Sequence, residues 1–223
     1  MEESKFSRII PLVNDFDKIK NAKVAIVGLG GVGGMAAITL ARCGISHFIL
    51  CDFDKVNISN FNRQVVARTN TIGEYKVDVL AQMIKDINNE AEIIKIKEPY
   101  NLNSSLFDYE FNYLVDAIDD VENKYLLIKE TLKRNISLIS SMGTAKKVDI
   151  KKLQIIDINK TSYDPLAKVI RKRMRDDGIN LKFMCLSSTE EPVVKGKELA
   201  SYMPVTASAG LMIADYLIKQ IGG

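Results

Sequence analysis

Histidine is almost missing from this chain of 223 residues; His47 is the only one. A Ser-His-Asp relay or a multi-histidine metal site therefore has almost nothing to be built from. On the second expected strand, His47 reads as structural rather than as a base. Cysteine is scarce too. Cys43, Cys51 and Cys185 stand far apart with no C-x-x-C pair, so a four-cysteine zinc site is excluded and no zinc is expected. The odd count argues against a disulfide framework. There is no long uncharged apolar run, and no basic leader ahead of an apolar stretch. A membrane span or secretory signal is not expected, which makes a cytoplasmic location the default. Repeats, low-complexity segments and linkers are also lacking. One domain over 1–223 is the expectation, with a nucleotide-binding half (1–143) and a substrate-facing half (144–223). The net charge of +3 is too small to argue for nucleic acid by itself.

What is present is an ordinary globular composition, 47% hydrophobic and 26% charged, in which strand and helix patterns alternate. Residues Ile9, Leu12, Val13, Phe16 and Ile19 have helical spacing over 9–20, with Pro11 restricted to an early turn. Strands are expected at 23–28, 46–52, 91–96, 113–118 and 136–140. Helices are expected at 31–43, 74–88 and 121–134. This alternation implies an α/β fold: a Rossmann-like, doubly wound, mainly parallel sheet. After Gly143 the pattern changes. Residues 146–158 alternate charged and apolar and read as short strands. A basic amphipathic helix follows at 165–175, a strand at 181–187 and a closing apolar helix at 206–221. The C-terminal third thus adds antiparallel strands to the sheet.

The chemistry begins at Lys23-Val24-Ala25-Ile26-Val27-Gly28-Leu29-Gly30-Gly31-Val32-Gly33. A β-rich run enters a glycine turn and leaves as a helix, which makes a phosphate cradle. Gly28 permits the tight turn, Gly30 lets backbone approach phosphate, and Gly33 lets the helix pack on the strand. Asp52 ends the next strand, where a carboxylate accepts from ribose hydroxyls. A dinucleotide would be satisfied with that much. Arg63 argues instead for a triphosphate under attack, since an NAD-binding reading leaves Arg63, Lys76 and the acids after the strand at 113–118 unexplained. The long Asn-rich connection from Asp54 to Thr71 is more often functional than idle.

In combination, G-L-G-G-V-G (28–33), D-F-D (52–54), N-R-Q (62–64), Lys76 after Gly73, and D-A-I-D-D (116–120) resemble the ubiquitin-activating-enzyme-like (ThiF/MoeB/HesA) adenylyltransferases. The resemblance runs from Arg8 to about Gly143. Farther on, Asp164-Pro165-Leu166-Ala167 leading into the basic helix, and Cys185 ahead of Ser188-Thr189-Glu190, narrow it to the tRNA threonylcarbamoyladenosine dehydratases. The family implies ATP and magnesium. Gly28, Gly30, Gly31 and Gly33 would cradle the nucleotide, with Asp52 on the ribose and Asp54 in support. Arg63 and Lys76 would hold the polyphosphate as pyrophosphate leaves, Asn62 would bond phosphate and Gln64 would contact the nucleotide. Asp119 would bind magnesium, while Asp120 reads as a helix N-terminal acid. Lys124 matches a basic position after the acid motif. Arg8 would reach the ATP of a partner subunit, which implies a homodimer. A sulfur-transfer (cysteine desulfurase) system is a further implied partner.

Cys185 sits in an apolar run and reads as core packing; the dehydratase reaction needs no covalent carrier. Lys168, Arg171, Lys172, Arg173 and Arg175 put five cations on about two helical turns, and Lys146, Lys147, Lys151 and Lys152 add to the same half. Charge alone allows either a solvated helix or a tRNA backbone contact; the resemblance favours tRNA carrying threonylcarbamoyladenosine. The alternative is an adenylyltransferase acting on the C-terminal glycine of a ubiquitin-like sulfur carrier, which shares the whole ATP site.

Overall fold

The computed structural model describes residues 4–179, 182–196, 198 and 200–223. After a short 3-10 turn at Ile10–Leu12 come α1 (Phe16–Asn21), β1 (Lys23–Val27), α2 (Gly31–Arg42), β2 (His47–Cys51), α3 (Lys76–Ile87) and β3 (Glu92–Ile96). Then follow β4 (Tyr113–Asp116), α4 (Val121–Lys133), β5 (Ser137–Ser141), β6 (Leu153–Asp157), α5 (Pro165–Asp176), β7 (Met184–Ser188) and α6 (Met203–Gly222). The strands form one seven-stranded sheet in the order β3-β2-β1-β4-β5-β7-β6. All neighbours are parallel except β6 and β7. The strand order reverses at β1 and β4, and ligands of open parallel sheets bind at the carboxyl ends of such a pair.

The expected α/β sheet is present, and the differences from expectation have local causes. The helical spacing over 9–20 is split in two. Pro11 sits in the first turn, and the Asp15 side chain accepts from the Lys18 N–H at 3.0 Å, starting α1 afresh. Of the strands expected over 146–158, only β6 forms. Lys146 takes a left-handed φ of 60°, and Asp149 caps a 3-10 turn at Ile150–Lys152. Leu181, at the start of the strand expected over 181–187, lies outside the described residues; β7 begins at Met184. The closing helix starts before 206, with Pro204 in its first turn, where a missing N–H costs nothing.

One face of the sheet is covered by α1, α2, α3 and α6, the other by α4 and α5. Small residues allow very close approach on the first face. A Cβ on Gly33 would stand 1.9 Å from the Gly28 carbonyl oxygen, so α2 presses directly on the turn it leaves. A Cβ on Gly210 would stand 2.5 Å from the Val32 carbonyl oxygen, so α6 lies against the first turns of α2.

A buried ion pair braces the carboxyl end of β4. Lys124 Nζ lies 2.8 Å from Asp116 Oδ2, with both side chains fully enclosed. Lys124 also donates to the Ile118 carbonyl oxygen (2.9 Å). Asp116 accepts from the Ile118 N–H (3.1 Å) and from the Ser140 hydroxyl (2.6 Å). The Lys124 ammonium thus holds the 116–120 turn from within. Replacing one partner of such a pair strands the other charge. Lys124→Met is expected to destabilise the protein by about 3–5 kcal/mol in urea unfolding. Adding Asp116→Asn should recover more than half of that loss.

Candidate active site

At the carboxyl edge, Gly28 closes the turn after β1 with a φ of 88°, which a side chain would strain. Its N–H donates to the Cys51 carbonyl oxygen (2.9 Å), tying the turn to β2. A Cβ there would collide with the Ala117 carbonyl oxygen at 2.6 Å. Gly31 is equally confined: its Cβ would meet the Thr206 hydroxyl at 2.9 Å and the Arg63 carbonyl oxygen at 3.0 Å. A Cβ on Gly30 would make only ordinary contact, with the Gln64 amide nitrogen as its nearest neighbour at 3.8 Å. The N-terminus of α2 therefore presents its free N–H groups beside a glycine that leaves room for a ligand.

Asp52 is buried and its carboxylate accepts from two backbone groups, the Leu29 N–H (2.7 Å) and the Asp54 N–H (2.8 Å). It thus shapes the glycine turn as well as facing it. Burial pushes its carboxyl above the usual range, opposed by the Lys76 ammonium and by those two N–H bonds. Lys76 is buried at the start of α3 and pairs with Asp54 at 2.6 Å. The Lys76 N–H donates to the Asp54 carbonyl oxygen as well (3.0 Å). Asp54 is thus a partner of Lys76 rather than a bystander.

The Asn-rich connection is a ladder of side-chain turns. The Asn57 N–H donates to Asn60 Oδ1 and the Ser59 N–H to Asn57 Oδ1, each at 3.0 Å. The Asn60 carbonyl oxygen then accepts from the Arg63 and Gln64 N–H groups, which brings the Arg63 carbonyl oxygen beside Gly31 and the Gln64 amide beside Gly30. The Asn62 amide donates to the Ser201 carbonyl oxygen (2.9 Å), and the Arg63 guanidinium to the Ser59 carbonyl oxygen (2.8 Å). Gln64 is buried, and its Oε1 has no hydrogen-bond partner among the described residues. A buried amide oxygen left without a donor is costly. The amide nitrogen of the same side chain is the one beside Gly30.

Asp119 and Asp120 part company. Asp120 caps α4, accepting from the Asn123 N–H at 2.9 Å. Asp119 is exposed and holds no hydrogen bond or ion pair among the described residues. No group of three or more His, Cys, Asp and Glu that could hold a metal occurs among the described residues. A lone carboxylate suits magnesium that arrives with phosphate oxygens and keeps its waters. Arg8 stands apart: exposed, without a hydrogen bond or ion pair, and three residues after Lys5, which reaches Asn89 beyond the far end of α3. His47 opens β2 at the opposite end of the sheet from the glycine turn, 3.2 Å from Glu92.

The basic residues of the second half divide into two groups. Lys168, Lys172 and Arg175 are exposed on α5. Arg171 turns inward to the carbonyl oxygens of Ile158 (3.2 Å) and Thr161 (3.3 Å), and Arg173 pairs with Glu122. Lys146 donates to the Gly196 carbonyl oxygen (2.5 Å). Lys147 is 3% exposed, so it belongs to no surface stripe. Burial pushes its ammonium down from its usual range, opposed by Asp164, Glu190 and Glu191. Linear spacing put these cations together and could not separate them. Cys185 is fully enclosed, its thiol pushed up to about 12 chiefly by burial, which disfavours the thiolate that a nucleophile needs.

Residues 6–223 match the ThiF family. The tRNA threonylcarbamoyladenosine dehydratase of Bacillus subtilis is 46% identical over 180 residues, which is 80% of this chain and 71% of that protein. The enzyme of the same name from Escherichia coli is 36% identical over 160 residues, 70% of this chain and 59% of that protein. This chain thus spans about three fifths to seven tenths of those two relatives. A crystal structure of the E. coli enzyme in complex with ATP superposes with a TM-score of 0.92 at 30% identity, covering 97% of this chain and 93% of that one. Its complex with AMP gives 0.91 at 31%, with the same coverage. Since the family match takes in every strand of the sheet and both helices that flank the glycine turn, the chain belongs to the ThiF family.

Proposed function

We propose that this protein is an ATP-dependent tRNA threonylcarbamoyladenosine dehydratase. The observation that carries the reading is the combination at one sheet edge of an open glycine turn, an orphaned Gln64 oxygen and an unpartnered Asp119. That combination is supported by 46% identity to a dehydratase of that name. The residues fit the nucleotide. The α2 N–H groups would receive phosphate, Asp52 the ribose, and the Gln64 amide the exposed polar edge of the ligand. Gly31 leaves no space for more than backbone, so it shapes the cradle. Magnesium, when bound with the triphosphate, would be held by Asp119 and would neutralise phosphate charge.

In this mechanism the threonine carboxylate of the modified adenosine attacks the α-phosphorus of ATP. The bond to the bridging oxygen breaks and pyrophosphate departs with its electron pair. Arg63 and Lys76 offset the negative charge that grows on it. For Lys76 this means sharing its ammonium between Asp54 and phosphate. The product is a mixed anhydride in which AMP, a good leaving group, replaces a hydroxide that could not leave. A nucleophile in the same side chain then attacks the acyl carbon. A ring closes, AMP leaves, and the nucleophile gives up its proton. The net change is loss of one water from the nucleoside. Both reacting groups belong to one side chain, so the second step needs positioning and no protein nucleophile, which agrees with the enclosed Cys185 thiol.

The exposed cations of α5, Lys168, Lys172 and Arg175, are the part of the basic cluster free to meet tRNA phosphates. Arg8, remote from the turn of its own chain, would act at the site of a second copy in a homodimer.

Incubated with ATP, magnesium and tRNA bearing threonylcarbamoyladenosine, the protein should release AMP and pyrophosphate and yield a nucleoside lighter by one water in mass spectrometry. Pyrophosphate exchange that appears only on adding a ubiquitin-like carrier would instead identify the sulfur-carrier activity. Asp119→Ala should lower magnesium-dependent turnover by about a hundredfold or more; unchanged turnover removes its metal role. Arg8→Ala and Asp119→Ala chains, each inactive alone, should regain about a quarter of wild-type turnover when co-refolded. Half of the pairs are then mixed, and each mixed pair has one intact site. No recovery would place Arg8 in its own chain's site, and an Arg8→Ala chain active alone would place it outside both.

A further inference from the structure

Tyr163 is an aromatic residue held in a conformation that suits glycine. Its φ is 54°, and a bulky side chain in the left-handed region persists only where its neighbours enforce it. They do so on both sides. Before it, the Thr161 N–H donates to the Ile158 carbonyl oxygen (3.4 Å), and the Thr161 carbonyl oxygen accepts from the Arg171 guanidinium (3.3 Å). After it, the buried Asp164 carboxylate accepts from the Gly143 N–H (3.0 Å), the Ser187 hydroxyl (3.1 Å) and the Ala167 N–H (3.1 Å). The ring so fixed is 61% exposed and makes no hydrogen bond or ring contact among the described residues. An apolar residue just ahead of a helix cap ordinarily packs on the fourth helical residue as a hydrophobic staple. Here that residue is Lys168, itself exposed, so no staple forms. The fold thus holds a strained aromatic ring out in solvent, where no described residue stacks on it.

Asp164 binds Gly143 in the loop after β5 and Ser187 near the end of β7. Tyr163 therefore stands beyond the carboxyl ends of those strands, at the sheet edge that carries the glycine turn. Helix α5 starts there, and near its other end it is fastened to α4. Arg173 pairs with Glu122 in the first turn of α4, which follows Asp119 directly. Lys168, Lys172 and Arg175 stand at i, i+4 and i+7, which puts them on one face of α5, and all three are exposed. A line of cations thus runs along α5 from beside Tyr163 to beside the start of α4. Such a line meets a phosphate backbone. An exposed ring at its end meets the other part of a nucleotide, the base. Phosphate contacts joined to an aromatic platform are how proteins hold single-stranded RNA. A duplex keeps its bases stacked on one another and offers the ring no face.

We propose that Tyr163 is a stacking platform for an unpaired base of the tRNA, next to the modified adenosine. This rests on the dehydratase reading above. The strand that carries the threonylcarbamoyl group is then held at two points, its phosphates on α5 and a base on Tyr163, which orients the acid toward the glycine turn. A ring already fixed in place loses little freedom on binding, and the enforced φ supplies that fixity. Tyr163 touches no reacting atom. It is a positioning residue that selects RNA presenting the adenosine in an open loop.

The test compares wild type with Tyr163→Ala, Tyr163→Phe, Tyr163→Gly and Tyr163→Trp, as full chains, on tRNA bearing threonylcarbamoyladenosine. Tyr163→Ala should raise KM for that tRNA by about fivefold to a hundredfold, the size of one lost base–aromatic stack. Tyr163→Phe should keep the wild-type KM, because stacking needs the ring and not the hydroxyl. In both variants kcat and ATP affinity should stay within about twofold. Tyr163→Gly should show the same rise in KM with a urea midpoint no lower than wild type, because glycine adopts this φ without strain. The chain has no tryptophan, so Tyr163→Trp reports on this position alone. Its fluorescence should fall on adding the tRNA and stay unchanged with an RNA duplex that has no unpaired bases. A wild-type KM in Tyr163→Ala overturns the assignment. So does a lower urea midpoint in Tyr163→Gly, which would make the ring a prop for its own loop. Equal quenching by duplex and tRNA overturns it as well, as does quenching by a ubiquitin-like carrier and not by tRNA. A wild-type protein that binds ATP but yields no lighter nucleoside overturns the dehydratase reading. The fluorescence of Tyr163→Trp then still decides, separately, whether an RNA base reaches this position.

Discussion

Everything at the carboxyl edge depends on how closely α2 leaves β1. The Gly33 position has no room even for a methyl group against the Gly28 carbonyl oxygen. This contact presses the first turn of the helix onto the strand it follows and aims its unpaired N–H groups over the sheet edge. The Asp52 carboxylate then holds the turn from the side through Leu29, and α6 closes over the outer surface through Gly210. A larger residue at any of these points would tilt the helix and move the N–H groups off their target. The cradle is therefore a packing product before it is a binding site.

Charge is distributed around that cradle by burial. The two paired lysines brace the machinery: Lys124 holds the turn that carries Asp119, and Lys76 is clipped to Asp54 at the head of α3. Asp120 spends its carboxylate on a helix cap, which leaves Asp119 free although the two are adjacent in sequence. Lys147 is enclosed as well, and the carboxylates of Asp164, Glu190 and Glu191 surround it. Cations buried beside carboxylates stabilise a fixed geometry, because removing either partner strands the other charge. The edge thus carries rigid supports on β4 and α3 and unsatisfied groups at Gln64 and Asp119.

Much of this was legible in the residues. The alternating apolar runs specified the parallel sheet, because strands buried on both faces need them and the crossover rule leaves few topologies. The glycine spacing marked the turn, since backbone strain and close approach admit no other residue at Gly28 or Gly33. The order of Asp52, Arg63, Lys76 and Asp119 after that turn was legible too, but the burial and pairing of each were not. Less so were the segments between 9 and 20 and between 146 and 158. There, side-chain caps at Asp15 and Asp149 interrupt apolar patterns that read as continuous.

The sequence by itself determined the fold class, the phosphate cradle and the order of its charged residues, because turn geometry and strand burial are local demands met by local residue types. Only the tertiary structure decided what each charge does. Arg171 and Arg175 lie on the same helix, yet one turns into the protein and the other faces solvent. Lys124 and Lys147 look like surface lysines in the linear pattern and are both enclosed. The reason is that the energy of a charge depends on solvent and counter-charge around it. Those surroundings come from strands and helices far apart in the chain, so they exist only after it folds.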